Sequence, residues 1–551
     1  MNSVFIPRCT GTGPVIPGYP AWFSALLAAR GVDTPEAAER FLSPAPEGLH
    51  DPFLLRGMDR TVALLKEAVA KGDTVLVWGD YDVDGICAAS ILMDVLHEMG
   101  ASLAYRIPSR HSEGYGLNEA GIREIAGKCR LLVTVDCGIT SVKEVALAKE
   151  LGLTVIVTDH HQPPEVLPAA DAVMDPLLGD YPFPSLCGAG VALKICQALL
   201  GMPGVMKRLD LAALATVADV VPLLDENRII VREGLSRIPA SPRPGLQALL
   251  RAAGIRGPLT SDDIAFRLAP RLNAAGRLGD AKLAVHLLLT PDAAKADYIA
   301  GLLENENRRR QDLEKKMVDE ARGQAESGGL AGAHVLLVQG EGWNPGVIGL
   351  AAGKLCERYH LPVVALSVCD GVAVGSCRSI PGVHIYRILS ACGDLLERFG
   401  GHEQAAGLTV KEENIPALKA RLEEEIASSV PAECFLPARE YDLALPFDTW
   451  TEETLSLLDA LEPTGCGNPS PLFRMESAEA LSLRRVGRDG AHLKLTLRGT
   501  GPAPIEGIAF SLGELADLAP RKLDLLYRPV RNDFRGRTAI EAQIPAINPI
   551  A

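Results

Sequence analysis

The stretch TVLVWGDYDVDGICAAS, residues 74–90, decides how this chain is read. An apolar run, Val75 to Trp78, is followed by three carboxylates in five residues: Asp80, Asp82 and Asp84. Two like charges ~4 Å apart repel by about 1 kcal/mol in water and about 4 kcal/mol near a protein surface. Three of them at the mouth of a core call for solvent or for a cation. In extended chain, positions two apart face the same side, so the three carboxylates converge. Gly85 then breaks the strand, and residues 86–100 read as an amphipathic helix. The acids thus sit at a strand's carboxyl end, where open α/β sheets bind ligands. An acidic turn with an aspartate helix cap has the same composition, so this stretch alone leaves both readings open.

Other strand-like runs end the same way. LLVTVDCGIT closes on Asp136, and TVIVTDHHQPP closes on Asp159-His160-His161. A further acid, Asp219, follows the apolar helix LAALATVADVVPL. Carboxylates with one or two imidazoles suit Mn²⁺ or a similar divalent ion better than thiolates would. Asp136 and His160 also have plain alternatives, as a helix cap and a polar strand end. Together with the acidic stretch they describe a two-metal arrangement that clamps a phosphoryl group.

Strands and helices alternate over residues 55–290, with TVLVWGD, SLAYRIP, LLVTVD and TVIVTD as strands, which predicts a parallel sheet with crossover helices. Residues 1–54 read as a small helical preface. Residues 291–328 read as one long helix, with Ile299, Leu302, Leu303, Leu313 and Met317 at helical spacing. A second α/β block is expected over 329–430, and an OB-like β-barrel over 431–551. The fold class is therefore α/β, with a parallel-sheet domain, a long helix, a second α/β domain and a C-terminal barrel.

The motifs GDYDVDG, VTVDCGIT, VTDHHQ and ATVADVVPL resemble, in order and spacing, those of the DHH phosphoesterase superfamily. LCGAGVALKI, LAPRLNAAGRLGDA, WNPGVIGLAAGKL, GSCRSI, GGHEQAAGLTV and PTGCGNPSPLF are similar to landmarks of its RecJ-type single-strand-specific DNA exonucleases. The resemblance runs from about residue 55 to 475. It implies two ions, Mn²⁺ or Mg²⁺. Asp82 would bind the first and Asp84 the second, Asp136 would bridge them, His160 and Asp219 would complete the second site, and Asp80 would join the first. It implies that His161 contacts the scissile phosphate, stabilising developing charge, and that Arg277 reaches that phosphate. Four positions depart from the pattern: Trp78 where a histidine is common, Asp175 for asparagine, Asn344 for histidine and Glu403 for proline.

Substrate contacts are expected at further positions. Gly188 and Gly190 start a helix whose free N–H groups suit an anion, although glycine there also permits close packing. Arg271 and Arg277 flank Asn273, and arginine forks match phosphate oxygens. Arg378, Ser379, Gly401 and His402 resemble nucleotide contacts of the DHH-associated domain. In the last domain, Tyr527, Arg528, Arg531 and Phe534 alternate basic and aromatic side chains, which suits stacking on single strands; a solvated hairpin with half-buried aromatics has the same pattern.

The formal net charge of −14 argues against coating duplex nucleic acid by bulk charge. The 12 cysteines include no CxxC pair and suit a reducing compartment. No secretory signal and no membrane span is read, so a cytoplasmic location is expected. The resemblance implies an exonuclease that works from the 5′ end and releases mononucleotides in recombination and repair. Its expected partners are single-stranded DNA, a single-strand-binding protein and a recombination helicase, with no membrane, and the chain is expected to act as a monomer. The alternatives are a DHH enzyme on oligoribonucleotides or cyclic dinucleotides, and a non-catalytic replication subunit. The expected barrel argues for a long strand as substrate.

Overall fold

The computed structural model describes residues 3–550 apart from 10–13, 110–112, 329, 331, 500, 502, 519–520 and 535–536; side chains over 533–538 are also outside the description. The chain forms two compact units. One comprises residues 14–307 and 457–470, and the other 1–13, 308–456 and 471–551.

In the first unit, five short strands form one parallel sheet: Thr74–Trp78, Ser102–Arg106, Leu131–Thr134, Thr154–Thr158 and Ala172–Met174. Counted along the chain, their order is 2-1-3-4-5. Strands one, three and four are almost wholly buried, as expected for strands covered on both faces. The order reverses between Thr74–Trp78 and Leu131–Thr134, so those strands flank the crevice where such sheets take ligands. Helix Val83–Glu98 leaves the first strand and buries its apolar faces against helices Gly188–Met206 and Leu209–Ala218.

Helix Gly188–Met206 is long and apolar enough to cross a membrane by composition, which the sequence reading missed. More than half of it is buried in this core, and its Lys194 pairs with Glu226 at 2.7 Å, both side chains buried.

The second unit holds a mixed five-stranded sheet, with Leu336–Glu341 parallel to Val363–Cys369, and Val372–Arg378, Ala405–Lys411 and Leu396–Gly401 added antiparallel. A six-stranded sheet runs Leu443–Ala444, Phe473–Val486, His492–Arg498, Pro504–Ala509, Arg537–Ile550 and Lys522–Phe534. Pairing of Phe473–Val486 with Lys522–Phe534 closes the last five of these into a barrel. The long helix spans Ala293–Gly328.

The first residues are not part of a helical preface. Val4–Pro7 pairs in parallel with Ala438–Tyr441. An extended four-residue segment satisfies its backbone through a distant strand, a pairing that local periodicity cannot reveal.

A candidate two-metal centre at the sheet edge

Sheet register sets the site. Trp78 pairs with Thr134, and Thr134 with Val157. Asp80, Asp136 and Asp159 each follow one of these by two residues, so three acids leave the sheet at one level. The Thr158 hydroxyl donates to the Thr134 carbonyl at 2.7 Å and fixes that level.

The acids of residues 74–90 do not converge by strand alternation. The strand ends at Trp78, and Asp82 caps helix Val83–Glu98, its carboxylate accepting from Gly85 N at 3.1 Å. Asp84 is already helical, so the turn sends it elsewhere. Gly85 lies inside the helix rather than ending a strand. Its missing side chain is what fits, since a Cβ there would stand 2.5 Å from the Asp80 nitrogen.

Three donor groupings result. Asp80, Asp82 and Asp136 each offer an oxygen, and these atoms lie within 4.8 Å of one another. The Asp84 and Asp219 oxygens with a His160 ring nitrogen meet the same spacing, as does an Asp136 oxygen with ring nitrogens of His160 and His161. His160 Nε2 joins the sets, 3.1 Å from Asp136 Oδ1, 3.5 Å from Asp84 Oδ2 and 3.7 Å from Asp219 Oδ2. Asp136 Oδ1 and His160 Nε2 are buried and form no hydrogen bond among the described residues. Buried polar atoms seldom go unsatisfied. Burial, then the charges of Asp84, Asp82 and Asp80, push the Asp136 carboxyl well above its ordinary range. Burial and Asp84 likewise raise Asp82, and lift Asp219 to about 8. Oxygen donors with one imidazole, short of positive charge, fit Mn²⁺ or Mg²⁺.

The backbone is shaped to this end. Asp136 adopts φ +59°, a left-handed conformation that aspartate tolerates better than most residues. Gly188 N and Ala189 N donate to the two Asp84 oxygens at 2.6 and 2.8 Å. The helix start at Gly188 therefore holds a carboxylate of the chain itself, which corrects the reading of those N–H groups as a phosphate cradle. Both follow the same rule, a helix N-terminus stabilising an anion. Gly188 is also a close approach, because a Cβ would fall 2.6 Å from Asp136 Cβ. Gly190 has no such role; its Cβ would meet only Leu186, at 3.3 Å.

Helix Ala269–Leu278 packs on the acidic turn. Asn273 Oδ1 accepts from Val83 N at 3.2 Å, and Gly276 lets the helix approach the Tyr81 carbonyl. Asn273 thus braces the turn through its oxygen. Arg271 pairs with Glu304 at 2.7 Å and donates to the Arg267 carbonyl. Arg277 is half-buried, next to Gly276 on that helix.

His161 is half exposed beside the cluster. Its Nδ1 lies 2.7 Å from Asp159 Oδ1 and 3.1 Å from the Tyr115 hydroxyl. Burial opposes its charging, but the Asp159 hydrogen bond and charge prevail and lift it to about 9. Asp159, held by Ile139 N and His160 N, is the group that orients it. The sequence reading gave no role to Tyr115, although an aromatic between two glycines, EGYGL, was the available signal.

Trp78 is fully buried, with Arg106 stacked 5.0 Å from the ring centroid, and takes no part in the cluster. Asp175 accepts from Leu177 N, and burial lifts it to about 7.

In the second unit, Arg378 pairs with Ala405 and Gly401 with Ala406, which brings Arg378, Ser379, Gly401 and His402 to one sheet end. Arg378 donates to Ser376 and to the Cys377 carbonyl, Ser379 Oγ to the Val383 carbonyl. In the barrel, Tyr527 is fully buried. Its hydroxyl donates to the Leu445 carbonyl at 2.9 Å and accepts from Trp450 at 3.0 Å. It cannot stack on a base, because its ring packs on Phe473. Arg531 pairs with Glu452 at 2.9 Å. Arg528 lies on the same strand; the side chain of Phe534 lies outside the described residues.

Residues 74–218 match the DHH family, N-terminal domain; residues 332–428 match the DHHA1 domain, and 441–546 the RecJ OB domain. The single-stranded-DNA-specific exonuclease RecJ of Dickeya dadantii is 36% identical, over 96% of either chain. That of Bacillus subtilis is 40% identical over 90% of this chain, which spans 63% of its length. A crystal structure of RecJ in complex with Mn²⁺ from Thermus thermophilus gives a TM-score of 0.83 at 36% identity, covering 96% of this chain and 76% of that one. Another, of exonuclease RecJ bound to manganese, gives 0.61 at 41% identity over 68% and 95%. With all three domains matched in order and a relative aligned end to end, the chain belongs to the RecJ family.

Proposed function

We propose that this chain is a metal-dependent exonuclease that hydrolyses phosphodiester bonds of single-stranded DNA, 5′→3′, releasing mononucleotides in recombination and repair. The observation that carries the reading is the meeting of Asp80, Asp82 and Asp136 with Asp84, His160 and Asp219 at one sheet edge. The RecJ relatives are named single-stranded-DNA-specific exonucleases, which supports single-stranded DNA as substrate.

Two divalent cations held there would polarise a phosphoryl oxygen and acidify a water for attack. The protein's own groups have distinct tasks. Asp136 belongs with Asp80 and Asp82 and stands 3.1 Å from His160, and is proposed to bridge the two ions. Asp159 occupies His161 Nδ1, which leaves Nε2 to donate to a phosphoryl oxygen as negative charge grows. Arg277, and Arg378, Ser379, Gly401 and His402 in the other unit, are proposed to hold the strand's phosphates. The barrel is proposed to bind single-stranded DNA through Arg528, Arg531 and Phe534.

The cysteines form no disulfide among the described residues, which suits a reducing cytoplasm. A single-strand-binding protein, a recombination helicase and monomeric action complete the proposal, by family analogy. End-labelled single-stranded DNA, incubated with and without Mn²⁺, tests it: mononucleotides should appear from the 5′ end only with metal. Activity confined to dinucleotides would favour a small-substrate phosphodiesterase.

A further inference from the structure

The ligand Asp219 is followed by a backbone outlier. Val220 adopts φ +60°, and a β-branched residue there is strained. Such a conformation persists only where its surroundings over-determine it. The next residues show what does so. Leu223 N donates to the Cys466 carbonyl at 2.8 Å, and the Pro222 carbonyl accepts from Asn227 Nδ2 at 3.0 Å. Gly467, at φ +70°, lies against Pro222 so closely that a Cβ would stand 3.0 Å from its Cβ.

Residues 457–470 belong to the catalytic unit although their flanks belong to the other. A buried arginine grips them. The Arg228 guanidinium donates to four consecutive carbonyls: Ala460 and Glu462 from Nη2, Leu461 and Pro463 from Nη1, all at 2.9–3.2 Å. Its Nε donates to the Phe41 carbonyl, and its plane stacks 3.9 Å from the Phe41 ring centroid. Asn468 Nδ2 donates back to the Leu461 and Pro463 carbonyls, and Arg30 holds Asn468 Oδ1 at 2.7 Å. Ser261 Oγ donates to the Thr464 carbonyl. One planar fork that satisfies four carbonyls fixes a loop shape more tightly than a lysine could.

We propose that Arg228 and the loop Leu461–Asn468 are positioning elements for Asp219, holding the strained turn Asp219–Leu223 so that the second metal site is complete. The inference rests on the two-metal reading above. A metal ligand's supporting contacts commonly tune affinity by 10–100-fold when lost. The first donor set, Asp80, Asp82 and Asp136, follows the strands Thr74–Trp78 and Leu131–Thr134 and should be spared.

The test is calorimetric titration of Mn²⁺ into the full chain and into Arg228→Lys and Gly467→Ala, with kcat measured against Mn²⁺ concentration. Gly467→Ala disturbs the loop where it meets Pro222 and leaves Arg228 intact, so it covers the case in which Arg228→Lys fails to fold. The expected result is one Mn²⁺ weakened about tenfold or more and the other unchanged, with kcat recovering at high Mn²⁺. Two parent-like affinities in a folded variant would overturn the inference, as would equal weakening of both sites. If the parent itself binds fewer than two Mn²⁺, the two-metal reading fails instead.

Discussion

His160 Nε2 stands 3.1 Å from Asp136 Oδ1, and the two residues follow adjacent parallel strands. The atoms that meet are a carboxylate oxygen and an imidazole nitrogen, both buried and neither hydrogen-bonded among the described residues. Asp84 and Asp219 approach the same imidazole from two helices. The cluster thus sets one imidazole among three acids, an excess of negative charge that a cation would satisfy.

Gly188 is a close packing point of this arrangement. Gly188→Ala adds a Cβ 2.6 Å from Asp136 Cβ, which must push that carboxylate aside. A fall in kcat of about a hundredfold or more is expected, since a displacement of about 1 Å at a site costs that much. Gly190→Ala, which meets only Leu186 at 3.3 Å, should stay within about tenfold of the parent. Steady-state kinetics on the pair is the check; equal effects would remove the close approach as the cause.

Trp78 should matter for packing alone. Trp78→Phe is expected to lower stability by about 1–3 kcal/mol, from lost ring volume and the Arg106 contact. Both Mn²⁺ affinities should survive. Denaturant unfolding with parallel metal titration decides this, and loss of an ion in the variant would make Trp78 part of the site.

Much of this centre can be read from the sequence because its strands are short, apolar and end in acids. The runs before Asp80, Asp136 and Asp159 announce both the sheet and its ligand-bearing edge. What could not be read is who satisfies whom. Asp82 and Asp84 look alike in GDYDVDG, yet one caps a helix and the other is held by Gly188 and Ala189, about a hundred residues away. The glycines of CGAGVALK signal a helix start that takes an anion, and only the fold shows that the anion is Asp84. Tyr527 sits in a basic, aromatic stretch that reads as a binding face, but the barrel's closure turns it inward. Arg228 carries no local signal, because its partners are carbonyls more than two hundred residues on.

Tyr527 yields a separate prediction. Tyr527→Phe deletes a hydroxyl that serves Leu445 and Trp450 at once, which should cost the barrel about 1–3 kcal/mol. Affinity for a long single strand should change little below the melting range, because the ring touches no solvent. Binding measured by fluorescence anisotropy, beside thermal melts, tests this. A marked loss of affinity without loss of stability would return Tyr527 to the binding face.

Bound metal should stabilise the fold by mass action. At a hundredfold excess over the dissociation constant, each site adds about 2.7 kcal/mol. Chelation should therefore lower Tm, and Mn²⁺ should restore it. Asp82→Ala and Asp84→Ala should each show a smaller Mn²⁺-induced rise than the parent. A parent-like rise in both variants would contradict the assignment of the donor sets.

The measurement that bears most directly on the shared centre is Mn²⁺ titration of Asp136→Asn beside the parent, with cleavage of end-labelled single-stranded DNA followed on the same samples. Asparagine keeps the shape and removes the charge proposed to bridge the two ions. The parent should bind two ions and digest the strand. Asp136→Asn should remain folded, bind both ions more weakly by about tenfold or more and leave the strand uncut. Two Mn²⁺ bound with parent affinity in Asp136→Asn, or digestion at the parent rate, would contradict a centre built around Asp136.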